Sequence, residues 1–265
     1  VYYVIDNNQK KNITYTVEYY KDGELISDDT QIEKQTVQVL ESDIMTVDKA
    51  KINIVDKYYG YKLADDVVVP DTVNSGEIIR IDYVIDEAQT KELSYTVEYY
   101  KNNVKQESDT ETEKVVVQIL EPDTITVDKT KINLENKYVG YSFEKTEPTE
   151  IPETLNNGDV VKVYYTANLD TKYTVEHYKQ NVENDEYTLA ENEECLGTTD
   201  TLTNATEKEY EGYYAKEFAQ ENIAGDGTTI IKIYYDRKDA KLNIEFRDLV
   251  SDEELAEKVE KIAKV

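Results

Sequence analysis

The chain is poor in the residues that most chemistry needs: one cysteine, one histidine and no tryptophan in 265 residues. Cys195 alone makes no internal disulfide and assembles no thiolate metal site; the missing disulfides do not by themselves force an intracellular location. His177 is the only residue through which imidazole catalysis could run, and no glycine-framed nucleophile accompanies it. No apolar run approaches the ~18 residues of a membrane helix, and no signal-peptide pattern is visible. Basic residues are scarce too. Thirty lysines and arginines face 57 acids, giving a formal charge of −27, which repels phosphate backbones and anionic headgroups and argues against nucleic acid and membrane surfaces as partners.

What the chain does have is tyrosine and repetition. Charged residues at 33% would suggest disorder, but 39% apolar content and 24 tyrosines supply enough surface for several modest cores. The hexapeptide Tyr15-Thr16-Val17-Glu18-Tyr19-Tyr20 returns unchanged at Tyr95–Tyr100, and again, with one substitution, at Tyr173-Thr174-Val175-Glu176-His177-Tyr178. The period of about 80 residues is too long for a solenoid unit and suits a small domain.

The period divides the chain into five expected segments. Val1–Asp6 matches Ile81–Asp86, the last strand of the repeat, so residues 1–12 read as the closing strand and linker of a truncated preceding module. Module 1 covers 13–88, module 2 covers 89–168 and module 3 covers 169–238. In module 1, Tyr15, Val17 and Tyr19 share one face of a first strand, and Asp22-Gly23 predicts a tight hairpin. Asp48 is placed to cap a single helical turn in the crossing segment. Gly60 stands where a Cβ is not tolerated, and Ile79, Ile81 and Tyr83 form a closing edge strand. Gly140 falls 80 residues after Gly60, and Gly212 takes the same place in module 3. Residues 239–265 read as the start of a further module or an adapter. Leu242, Ile244 and Phe246 alternate as a strand; Ser251–Glu254 resembles a capping box, and Leu255, Val259 and Ile262 follow at helical spacing.

Module 3 carries a resemblance. Tyr173–Tyr178, Tyr187-Thr188-Leu189-Ala190, Leu196-Gly197-Thr198-Thr199, Tyr210-Glu211-Gly212-Tyr213 and Ile223-Ala224-Gly225-Asp226-Gly227, followed by Ile231–Tyr235, look like the mucin-binding-protein (MucBP) type repeats of Gram-positive cell-surface adhesins. Modules 1 and 2 are similar mainly at the first strand, the central glycine and the closing strand. The resemblance implies a ubiquitin-like (β-grasp) module, an extracellular location with cell-wall anchoring through regions outside this chain, and adhesion to host mucin or another glycoprotein. It carries over no defined binding residue.

The remaining candidates each have a plainer reading. His177 stands where the other modules have Tyr19 and Tyr99, which marks a packing position. Adjacent acids such as Asp28-Asp29, Asp65-Asp66 and Glu193-Glu194 point to opposite faces of a strand and make no glycosidase pair. EF-hand spacing is absent, leaving Asp226 between glycines as the least implausible place for weak calcium binding. Tyr15, Tyr19, Tyr83, Tyr95 and Tyr165 share faces with Val and Ile and read as core with the hydroxyl at the rim. Tyr20, Tyr100, Tyr164 and Tyr234 are outward-phased and remain the better surface candidates.

The sequence therefore predicts a β-rich α+β chain of tandem small β-grasp modules in an elongated array, three of them reaching on the order of 100 Å. It predicts no catalytic, cofactor-binding or metal-binding residue, no cofactor, and a monomer. The function expected is that of a non-enzymatic repeat segment of a bacterial cell-surface adhesin, either a stalk or a weak multivalent binder of host mucin or another glycoprotein. The alternative is a spacer within a cell-surface enzyme, such as a glycoside hydrolase, whose catalytic domain lies elsewhere.

Overall fold

The structure is a computed structural model that describes residues 1–265. Module 1 contains β1 (Lys10–Lys21), β2 (Glu24–Leu25), β3 (Gln31–Gln38), β4 (Ile44–Thr46), β5 (Tyr61–Leu63), β6 (Thr72–Asn74) and β7 (Ile78–Ile85). Module 2 repeats them as β8 (Thr90–Lys101), β9 (Val104–Lys105), β10 (Glu111–Gln118), β11 (Thr124–Thr126), β12 (Tyr141–Glu147), β13 (Thr154–Asn156) and β14 (Val160–Ala167). Module 3 is reduced to β15 (Thr171–Gln180), β16 (Tyr187–Gly197), β17 (Tyr213–Ala215) and β18 (Ile230–Arg237). A last hairpin pairs β19 (Asp239–Arg247) with β20 (Glu254–Lys264). Helix is confined to four 3-10 turns.

The three module sheets share one plan. Their strand orders are β2-β1-β7-β5, with β3 also on β1; β10-β8-β14-β12, with β9 also on β8; and β16-β15-β18-β17. The first and last strands of each module run parallel, with Val17 opposite Ile79, Val161 opposite Val97 and Val175 opposite Ile231. The expected closing edge strand is therefore not an edge. β7, β14 and β18 lie centrally, between the first strand and an antiparallel one. Parallel neighbours cannot be joined by a hairpin, so the segment between them must cross the sheet, and its apolar residues cover one face.

That covered face is the core. In module 1 it gathers Ile13, Tyr15, Val17 and Tyr19 from β1, Ile79, Ile81 and Tyr83 from β7, and Met45, Val47, Ile52 and Val73 from the segment between. Module 3 has its own cluster, in which Tyr173 and Val175 meet Ile231, Ile233 and Tyr235 beneath Ala205 and Ile223. Each such side chain contributes roughly 1.5–3 kcal/mol on burial. Asp22 and Gly23 both have positive φ, as do Asn102 and Asn103, so either pair closes the same two-residue turn whose twist suits a hairpin.

The crossing segment holds one 3-10 turn, Lys49–Lys51, begun as expected by Asp48, whose Oδ1 accepts from Ala50 N at 3.2 Å. Asp128 does the same for Lys129–Lys131. With so little regular structure, buried backbone groups need other partners, and the core tyrosines supply them. Tyr15 Oη accepts from Asp48 N, and Tyr83 donates to Asn53 O. Tyr99 accepts from Asn133 N, Tyr165 donates to Asn133 O, and Tyr235 accepts from Lys208 N. The core tyrosines are buried as expected, but these hydroxyls bind the crossing segment rather than merely reaching the rim.

By its contacts the chain divides into two compact units, Val1–Ser94 with Lys114–Ile125, and Tyr95–Glu113 with Thr126–Val265. The division passes through module 2. Residues Val1–Ile5 are exposed and form no strand.

The tail departs from expectation. Residues Glu254–Lys264 are a strand paired to β19, not an amphipathic helix. Asp248, not Ser251, organises the turn: its Oδ1 accepts from Val250 N, Ser251 N and Ser251 Oγ, and Asp252 adopts φ +57. That geometry reverses the chain instead of starting a helix. The helical spacing of Leu255, Val259 and Ile262 loses to the backbone partners that β19 offers.

Candidate functional site

The face of each sheet opposite the crossing segment carries a recurring Glu-x-Tyr pair. The two residues point the same way because they lie two apart on a strand. Tyr20 donates to Glu18 Oε2 at 2.6 Å, Tyr100 to Glu98 at 2.8 Å, and Tyr178 to Glu176 at 2.8 Å. The parallel register then sets a partner beside each ring. In module 1 it is Arg80, whose guanidinium lies 3.8 Å from the Tyr20 ring centre while pairing with Asp82 at 2.7 and 2.8 Å. In module 2 Tyr164 stacks on Tyr100 with centroids 4.8 Å apart, donates to Glu147, and lies under Lys145. In module 3 Tyr234 stacks on Tyr178 at 5.2 Å, and Tyr187 meets Tyr234 edge-on while donating to Asp236.

The electrostatics lock these groups. The hydrogen bond to Glu98 pushes the Tyr100 phenol up to about 12, and Tyr20 and Tyr178 are raised by their bonds to Glu18 and Glu176. Glu98 is lowered by Lys105 and then by Tyr100; Glu147 is lowered by Lys145 and then by Tyr164. Each of these shifts runs away from neutrality. A general acid or base works best poised near the operating pH, and these groups are held in one charge state instead. Ring surface, ionised acceptors and amine donors on one face can bind a neutral polar ligand by stacking and hydrogen bonding. Against that, the rings already stack on one another or on a cation.

Other sequence candidates resolve into structural roles. His177 is fully buried, with Nδ1 2.9 Å from Tyr235 Oη; Glu193 lies 3.5 Å from its Nε2. Cys195 stands opposite Tyr173 on β16, partly buried. Asp226 Oδ1 accepts from Thr228 N and Oγ1, closing its own turn. Asp29 accepts from Tyr58 and pairs with Lys57, while Asp65 and Asp66 are exposed. No group of three or more metal-ligating side chains converges anywhere. The outward tyrosines are where phasing put them, but Tyr164 is buried rather than open. Sequence reading brought neither Arg80 nor Tyr187 to these tyrosines. Their places depend on the parallel crossover and on the β15–β16 pairing, neither of which a local pattern encodes. Two clefts remain. One of about 630 Å³ in module 3 is lined by Glu207, Lys208, Tyr210, Tyr214 and Lys238. Another of about 510 Å³ in module 2 is lined by Leu134, Phe143, Thr146 and Ile151.

No protein-family model matches the chain, and no curated protein matches it. Among solved structures it is similar to the type 2 repeat of the mucus binding protein MUB from Lactobacillus reuteri. That match has 14% identity and a TM-score of 0.22, covering 59% of this chain and all of the other. It is also similar to Mub-RV, at 14% identity and a TM-score of 0.18, covering 85% of this chain and 99% of that one.

Proposed function

We propose that this chain is a non-enzymatic repeat segment of a bacterial cell-surface adhesin, built as an array of β-grasp-like modules and anchored to the wall through other regions. Its task is to space and present contacts, and its ligand class is the neutral glycan of host mucin or another glycoprotein. The observation that supports this best is the threefold recurrence of the outward tyrosine–carboxylate pair at Tyr20, Tyr100 and Tyr178. No group among them is tuned for proton transfer at neutral pH. Several weak faces on one chain gain avidity when a single partner carries many copies of the ligand. Mucins offer that arrangement.

The covered ring faces favour a second reading, in which the modules only separate other domains, including a catalytic one. Purified mucin and a neutral-glycan array distinguish the two. Saturable binding that free glycan competes away, and that Tyr178→Ala with Tyr234→Ala weakens, supports adhesion. Silence on both surfaces leaves the spacer.

A further inference from the structure

The joint after module 1 is built around Gly60. Its carbonyl accepts Asp86 N at 2.9 Å, where the closing strand ends. Gln118 Nε2 then lies 3.3 Å from Asp86 O and 3.4 Å from Gly60 O, bridging the two. Gln118 Oε1 also accepts Leu120 N at 2.6 Å, holding the Leu120 turn in place. Leu120 sits directly on the glycine: a Cβ at position 60 would lie 2.5 Å from Leu120 Cδ2. Lys91 supports the same turn, reaching Glu121 O and Asp123.

Eighty residues earlier the whole arrangement recurs without its glycine. Gln38 Nε2 lies 3.4 Å from Asp6 O, and its Oε1 accepts Leu40 N at 2.6 Å. Val39 N donates to Gln9 O as Ile119 N does to Gln89 O. Lys11 reaches Glu41 O and Asp43. Leu40, the counterpart of Leu120, is 74% exposed against 40% for Leu120. A formed turn holding out an uncovered leucine is half of the joint.

We propose that Leu40, with Gln38 and Asp6, is a docking surface for the glycine turn of a further module of this same type, one whose closing strand is Val1–Asp6. The partner is defined by its chemistry. It presents a glycine in the left-handed region with no side chain above its Cα, and a carbonyl free to accept from Gln38 Nε2. Gly60 and Gly140 both have φ +79 and Gly212 has φ +81, so the receiving conformation is a standing feature of these modules. Leu120 and Val265 cover Gly60 and Gly212 respectively, and Thr199 Oγ1 lies where a Cβ on Gly140 would meet it, at 2.7 Å. The sockets within the chain are thus taken, and Leu40 is matched to one outside them. The proposal rests on the tandem-module reading, and not on the glycan-binding one.

The test lengthens the chain by one period, placing residues 7–80 directly before Val1 so that Val1–Asp6 closes an added module. In the present chain Leu120→Asp is expected to lower the first unfolding midpoint by several degrees and Leu40→Asp to leave it unchanged. In the lengthened chain Leu40→Asp is expected to lower the midpoint as much as Leu120→Asp does, and backbone exchange at residues 39–41 is expected to slow. A silent Leu40→Asp in a lengthened chain whose added module is folded overturns the proposal. A second measurement needs no added module: in the present chain, Leu120→Ala is expected to recover the part of the midpoint lost in Gly60→Ala that comes from the clash, leaving the part set by the backbone at φ +79. Additive losses there would show that leucine does not seat on glycine, and would overturn it equally.

Discussion

Tyr99 accepts the backbone N–H of Asn133 at 3.0 Å from inside the core of module 2. Tyr165 donates to the carbonyl of the same residue at 2.8 Å. Two strands that are neighbours in the sheet thus hold both backbone groups of one residue in a segment with almost no regular structure. A crossing helix would satisfy its own backbone. This chain uses phenols instead, a role that suits tyrosine better than tryptophan: an indole donates only, whereas a phenol can do either.

Removing one such hydroxyl is therefore expected to cost more than removing an outward one. Tyr99→Phe strands Asn133 N and is expected to destabilise the chain by about 1–2 kcal/mol. Tyr100→Phe, one residue on, releases only a surface bond to Glu98 and is expected to stay within about 0.5 kcal/mol. Urea melts of the two variants, compared with the parent, measure the difference. Equal losses would remove the role given to the inner phenols.

The same burial makes the fold sensitive to alkali. Burial, the largest cause in each, pushes Tyr83, Tyr141 and Tyr165 up to about 12. A raised folded-state value means the unfolded chain ionises first. These groups' stabilisation is complete below the ordinary phenol value of ~10 and is lost as pH rises from there through about 12. Each group lowers stability by at most about 1.4 kcal/mol per pH unit inside that window. Melting temperatures measured from pH 8 to 11.5 should hold level and then fall steeply above pH ~10. Phenolate absorbance of these buried residues should rise together with unfolding.

Much of this was legible in the sequence, and the limits have physical causes. Period-two alternation marked Tyr15, Val17 and Tyr19 as inward, and all three are buried. Asp22-Gly23 and Asp48 behave as turn and cap because each acts through its own backbone. The order of strands was not legible. Whether β7 lies at an edge or beside β1 depends on which way the chain crosses, and Ile79, Ile81 and Tyr83 alternate identically in both cases. The outward cluster inherits that blindness: Arg80 reaches Tyr20 only because Glu18 and Arg80 stand opposite in a parallel register. The tail failed differently. Leu255, Val259 and Ile262 fit a helix better than a strand, whose period of two puts Ile262 on the other face, and the turn at Asp248 overrode that pattern from outside it.

His177 offers a check on the module 3 network. Tyr235 Oη accepts from Lys208 N at 2.8 Å, so its own proton is left to donate to His177 Nδ1 at 2.9 Å. The neutral ring then carries its proton on Nε2, facing Glu193. Nitrogen NMR of the labelled chain at pH 7.5 should show a bare Nδ1 and a protonated Nε2. Tyr235→Phe should free the ring to populate both tautomers. A ring already protonated on Nδ1 in the parent would refute the donor order assigned to Tyr235.

The glycine turns separate two effects that a single substitution usually mixes. Gly60 and Gly76 both sit in the left-handed region, at φ +79 and +91. A Cβ at Gly76 would meet nothing within 4 Å, whereas one at Gly60 would strike Leu120. Gly76→Ala is expected to cost about 1–2 kcal/mol from backbone conformation alone. Gly60→Ala carries the same backbone term and adds an overpacking term of about 1–3 kcal/mol, because Gln118 and Lys91 hold the backbone of the turn that sets Leu120 on the glycine. The difference between the two variants in one denaturant series measures the closeness of the joint. If Gly60→Ala costs no more than Gly76→Ala, Leu120 moves aside freely and the junction is a loose contact, not a seat.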